Sequence, residues 1–111
     1  MIKVICLKKL KQLCETYFVE ALKDSGLRSF CFSETTLSKA LYRGDEVISL
    51  VAYRKLDEKL IEIDFIATRE EFKRAGAAKE LIEEFDGLEI WLELSSKNAS
   101  ALRFYEKNGF L

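Results

Sequence analysis

Apolar residues recur along this chain with two different periods, and each change of period marks an element. Leu7, Leu10, Cys14, Tyr17, Phe18 and Ala21 fall on one face at helical spacing, which predicts a helix from about Leu7 to Leu22. Asp24-Ser25-Gly26 stops it. Residues 2–6, ahead of it, read as a short strand. Residues 27–42 read in two ways. Ser33-Glu34-Thr35-Thr36 caps a short helix running to Tyr42, or part of the segment is a strand entering the Arg43-Gly44-Asp45 turn.

The second half of the chain is patterned more sharply. Val47, Ile48, Leu50, Val51 and Tyr53 predict a strand over Glu46 to Leu56, and Asp57-Glu58 turns the chain. Lys59 to Thr68 is its expected antiparallel hairpin partner, with Ile61, Ile63, Phe65 and Ala67 on one face against Glu62 and Asp64 on the other. A helix is expected from about Ala75, with Ala78, Leu81, Ile82 and Phe85 as its buried stripe and Asp86-Gly87 as its end. Leu88 to Leu94 alternates Leu88, Ile90, Leu92 and Leu94 with Glu89, Trp91 and Glu93, as a strand does. A last helix is expected from about Asn98 to Lys107, closed by Asn108-Gly109. Strand, helix and strand over residues 59–94 imply a right-handed parallel crossover. The fold class is therefore α/β, with a mixed sheet flanked by helices.

Composition narrows the chemistry. The 111 residues bound the chain to one domain, 1–111, with 49% hydrophobic and 33% charged residues. Eighteen basic residues against 19 acidic leave a net charge of −1 and no basic face, which argues against a nucleic-acid partner. No apolar run is long enough for a bilayer, and the N-terminal patch is too short for a secretory signal. Three cysteines without a Cys-x-x-Cys pair predict a reducing, cytoplasmic setting. Histidine is absent, which excludes Ser-His-Asp and Cys-His catalysis and most zinc sites. Acid–base work falls to Glu, Asp, Lys, Tyr or Cys.

Two segments carry candidate chemistry. In Phe72-Lys73-Arg74-Ala75-Gly76-Ala77-Ala78-Lys79, small residues between a strand and a helix let backbone approach a ligand closely. Free N–H groups of the first helical turn, with Lys73, Arg74 and Lys79, suit an anion such as a diphosphate. Packing of helix on sheet explains Gly76 and the alanines equally well. In the second segment, Glu93 falls near the carboxyl end of a strand, where open α/β sheets place ligands, and desolvation beside Trp91 would favour a base there. Alone, Glu93 reads as a surface residue, Asn98 as a helix N-cap, and Phe104 and Tyr105 as core aromatics.

Together the two segments resemble the GNAT N-acetyltransferase superfamily, and within it the bacterial ribosomal-protein alanine N-acetyltransferases. The resemblance is good over residues 59–111 and loose before them. Lys73, Gly76 and Ala78 stand in the family's pyrophosphate loop, written Gln/Arg-x-x-Gly-x-Gly/Ala. The resemblance implies acetyl-CoA as cosubstrate and no metal. It has the loop backbone (Arg74, Ala75, Gly76, Ala77, Ala78, Lys79) cradle the diphosphate, and Ile66-Ala67-Thr68 hold the pantetheine and acetyl group. It further implies Glu93 as general base, Asn98 as a coenzyme contact and Tyr105 as acid to the departing thiolate. The implied acceptor is a protein or peptide N-terminal amine, a ribosomal protein among the candidates.

Three departures accompany the resemblance. Lys73 replaces Gln or Arg. Arg69-Glu70-Glu71 replaces a more usual Asp-Pro turn and brings negative charge near the phosphate site. Relatives continue through two further strands where this sequence stops at Leu111, so a shortened C-terminus is expected, with strand 88–94 as an edge that a homodimer could cover. Two other functions remain open on sequence: acetylation of a small amine or lysine side chain, with Asp64 as an alternative base, or an inactive domain that binds acetyl-CoA or a partner.

Overall fold

The computed structural model describes residues 1–18, 35–72 and 76–92. Strand β1 (Ile2–Val4) leads into helix α1 (Leu7–Tyr17). Strands β2 (Leu37–Arg43), β3 (Glu46–Asp57) and β4 (Leu60–Thr68) follow as two successive hairpins. A 3-10 turn at Glu70–Phe72 precedes helix α2 (Ala77–Glu83) and strand β5 (Glu89–Leu92). The described strands form one sheet in the order β1-β2-β3-β4-β5. Every pairing is antiparallel except β4 with β5, which is parallel. This is the mixed α/β sheet expected from the sequence, with the crossover through α2.

Neighbouring residues of β3 point to opposite faces, and each face has its own helix. Leu50 and Ala52 pack with Leu10, Leu13 and Cys14 of α1 and with Phe18. Val51 packs with Ala77 and Leu81 of α2 and with Phe85. Both clusters are shut from water, with Leu10, Leu50, Val51 and Leu81 all at 0% exposure. Burying an aliphatic side chain this fully contributes about 1.5–3 kcal/mol before entropy is counted, so the sheet is the anchor for both helices.

Several expectations need correcting at this level. Ile61, Ile63, Phe65 and Ala67 are all buried, but they do not share a face. Ile61 and Ile63 pack toward α2, whereas Phe65 and Ala67 pack toward α1. The cause is a β-bulge: Ala52 pairs with Phe65 while Tyr53 pairs with Ile63, leaving Asp64 as the extra residue. One added residue shifts the two-residue period, so the apolar set changes sides. Helix α2 starts at Ala77, with Gly76 as N-cap, and its buried residues are Ala77 and Leu81, with Phe85 beyond its end; Ala78 and Ile82 are only half-buried. In α1 the buried stripe includes Leu13, and Tyr17 is 51% exposed because its ring lies outside, under Arg69. Phe18, at the C-cap with φ −121°, ends the described helix before Leu22. The open choice for residues 27–42 resolves in its described part, where Leu37–Arg43 is a strand.

Candidate active site

Strand β4 carries the first part of the site. Its apolar alternation seats Ile61 and Ile63 under α2, and the bulge then turns Asp64 to the side of Arg54. The Asp64 side chain is 6% exposed. Arg54 Nη2 lies 3.4 Å from Asp64 Oδ1 and 3.3 Å from Glu62 Oε2. Asp64 Oδ2 is buried and, among the described residues, accepts no hydrogen bond. Burial pushes the Asp64 carboxyl above its ordinary range; Arg54 pulls it back and Glu62 pushes it further up. The desolvation wins, so the carboxyl favours its protonated form more than a solvated aspartate does. A buried carboxylate oxygen without a hydrogen-bond partner costs stability, so the position is one whose polarity the core does not need.

Beyond the bulge, Ile66 is half-buried against α2, Ala67 is buried on the α1 side and Thr68 is half-buried. Ser49 Oγ donates to the Ala67 carbonyl at 2.9 Å and lies 2.9 Å from Thr68 Oγ1. The single serine proton is committed to Ala67, so Thr68 donates in that pair. The Arg69 N–H donates to the Ile48 carbonyl of β3 at 2.9 Å. Alternation along the strand then turns the main-chain groups of Ile66 and Thr68 toward the β5 side. This is the side from which an extended ligand lying along β4 would take backbone hydrogen bonds.

The chain next reaches the glycine loop. Gly76 sits at φ 82°, a left-handed conformation that disfavours side chains. The first helical bond of α2 runs from the Glu80 N–H to the Gly76 carbonyl at 3.0 Å. The N–H groups of Ala77, Ala78 and Lys79 therefore precede the first intrahelical donor. A Cβ built on Gly76 would meet nothing within 4 Å, so the surface above it is open. Backbone donors beside Lys79 suit an anion, and the described part of the loop fits a diphosphate. Lys73, Arg74 and Ala75 lie outside the described residues, as do Glu93, Asn98 and Tyr105.

What is described of β5 reaches Leu92, the residue before Glu93. Leu92 pairs with Ile63, the residue before Asp64. Trp91 pairs with Glu62, is 55% exposed, and donates through Nε1 to Glu89 Oε1 at 3.2 Å. Among the described residues, β5 is the last strand of the sheet; the residues that decide whether it is an edge lie outside them. Arg54, which pairs with both Asp64 and Glu62, went unrecognised in the sequence. Its only signal was its place opposite Glu62 in the expected hairpin.

The mixed sheet with a helix on each face is an α/β fold that is consistent with an acetyltransferase domain. The chain belongs to the GNAT acetyltransferase family, whose model matches residues 7–110. Enzymes of this family are acetyltransferases that draw on acetyl-CoA. No curated protein sequence matches the chain.

Solved structures share its fold at low identity. An aminoglycoside acetyltransferase, meta-AAC0020, from an uncultured soil metagenomic sample, in complex with sisomicin, superposes with a TM-score of 0.73 at 17% identity, over 98% of this chain and 86% of that one. A ribosomal-protein-alanine N-acetyltransferase from Brucella melitensis biovar Abortus 2308 gives a TM-score of 0.73 at 14% identity, over 97% and 90%. The aminoglycoside N-acetyltransferase AAC(6')-Iy, solved with CoA, gives 0.71 at 14% identity, over 100% and 91%.

Proposed function

We propose that this chain transfers the acetyl group of acetyl-CoA directly to the N-terminal amine of a protein or peptide. The observation that carries the cosubstrate is Gly76, held left-handed at the start of α2, the first α-helix after β4 among the described residues, with the helix's first amides ahead of the first helical bond. In this reading Lys73 to Lys79 hold the diphosphate and Asn98 adds a contact. The backbone of Ile66, Ala67 and Thr68 aligns the thioester arm. The amine nitrogen attacks the thioester carbonyl, a C–N bond forms and the C–S bond breaks. The amine gives its proton to Glu93, and Tyr105 gives a proton to the leaving thiolate. The free thiols Cys6 and Cys14 are in keeping with a reducing compartment such as the cytoplasm.

A second reading rests on Asp64. Its buried, unpartnered oxygen and raised proton affinity suit a general base for a small amine or a lysine side chain. One experiment separates the two: acetylation rates for peptide N-termini, lysine peptides and small amines with the parent protein, Glu93→Gln, Tyr105→Phe and Asp64→Asn. The first reading expects preference for peptide N-termini and losses of about tenfold to a thousandfold in Glu93→Gln and Tyr105→Phe. Undiminished turnover in both, with collapse in Asp64→Asn, would transfer the role to Asp64.

A further inference from the structure

The Arg69-Glu70-Glu71 sequence brings carboxylates to the start of a loop read as an anion site, and the structure shows what becomes of one of them. Arg69 Nη2 lies 3.2 Å from Glu71 Oε2, and Nη1 lies 3.8 Å from Glu46 Oε1. The guanidinium is stacked over the Tyr17 ring at 4.6 Å and lies 6.0 Å from the centre of Phe72. Its own N–H is tied to Ile48, and its carbonyl accepts from the Phe72 N–H at 2.9 Å. Arg69 is 18% exposed, whereas both carboxylate side chains are 65% exposed. A cation fixed by a ring face, on a residue tied by two backbone bonds, pairs with two exposed acids.

We infer that Arg69 is a positioning residue that pairs with the Glu71 and Glu46 carboxylates and so offsets their charge beside the neighbouring loop, keeping that loop receptive to the diphosphate of acetyl-CoA. The inference rests on the cosubstrate reading above. Charge arithmetic supports it. Residues 69–79 hold four cations, Arg69, Lys73, Arg74 and Lys79, against Glu70 and Glu71. Without Arg69 that margin halves, and Glu46 is released as well. Glu71 stands two residues before Lys73, well inside a screening length of about 8–10 Å even for a curled chain. The guanidinium suits the task because its planar fork reaches two carboxylates while its face stays on an aromatic ring. Arg69 lies five residues beyond Asp64, roughly 16 Å along an extended strand, and no step of the proposed transfer uses its side chain, so its loss should show in cosubstrate binding rather than in kcat.

The test is calorimetric titration with acetyl-CoA, alongside steady-state rates and melting temperatures, for the parent, Arg69→Met, Glu71→Gln and the double variant. Arg69→Met should weaken acetyl-CoA binding by about three- to tenfold, with kcat at saturating acetyl-CoA within about twofold of the parent. Glu71→Gln should bind at least as tightly as the parent. The double variant should recover most of the loss, and Arg69→Lys part of it. The Arg69→Met deficit should shrink in high salt. A double variant as weak as Arg69→Met would make the residue merely structural and overturn the inference, as would parental affinity in Arg69→Met. A parent that binds no acetyl-CoA would instead sink the cosubstrate reading itself.

Discussion

The two halves of β4 are built for different ends. Leu60–Ile63 is paired on both sides, to β3 and to β5, and buries Ile61 and Ile63 under α2. Asp64–Thr68 begins with an extra residue, changes the face of its apolar side chains, and spends a buried position on a carboxyl with an unpartnered oxygen. The first half is arranged for stability. The second accepts a cost, which agrees with the proposal that it also meets the cosubstrate.

Deleting Asp64 attacks that difference most directly. Removing the extra residue forces either Ile61 and Ile63 or Phe65 and Ala67 onto the wrong face. No cooperative thermal transition should survive, and a near-parental melting temperature would show that the bulge is dispensable. Ile63→Ala comes next: it should cost about 2–5 kcal/mol in denaturant unfolding, as truncations in packed cores do. Leaving the second half short of a charge should do the opposite. Asp64→Asn should be no less stable than the parent at pH 7, with any loss confined to acetylation.

The pH dependence sharpens the same contrast. An unfolded aspartate titrates near pH ~3.9, and the folded Asp64 titrates higher because burial disfavours its charge. Between those two values the folded state binds the extra proton, so stability falls as pH rises through that window and levels off above it. Asp64→Asn should remove that slope from urea midpoints; a slope unchanged in the variant would assign it to another group. The smallest effect concerns Cys14, whose thiol is pushed up to about 12 by burial and secondarily by Glu15. In a Cys31→Ser background the native protein should react with a thiol reagent at one site, Cys6, which is exposed. Reaction at two sites before unfolding would show that the α1 core opens.

Much of this was legible in advance, and the residues show why. The β3–β4 hairpin, the parallel strand at Glu89–Leu92 and the helix between β4 and β5 follow from apolar period and turn residues, which are local signals, though that helix ends at Glu83, ahead of the expected stop at Asp86-Gly87. The glycine loop and the combination Glu93, Asn98 and Tyr105 carried the family resemblance, which the match over residues 7–110 bears out as to family. Tyr17 shares the predicted apolar face yet stays 51% exposed, because it lies outside the core, with the Arg69 guanidinium over its ring. Ala77 was missed because the helix start was set two residues early.

By itself, then, the sequence determined the elements, their order and the family, because period, caps and a spaced motif are properties of neighbouring residues. Tertiary structure decided which face each half of β4 presents, that Asp64 is buried beside Arg54 and Glu62, and that Arg69 holds Glu71 and Glu46. Those outcomes depend on the register between strands distant in sequence. A single bulge shifts that register by one residue, and no local pattern announces it.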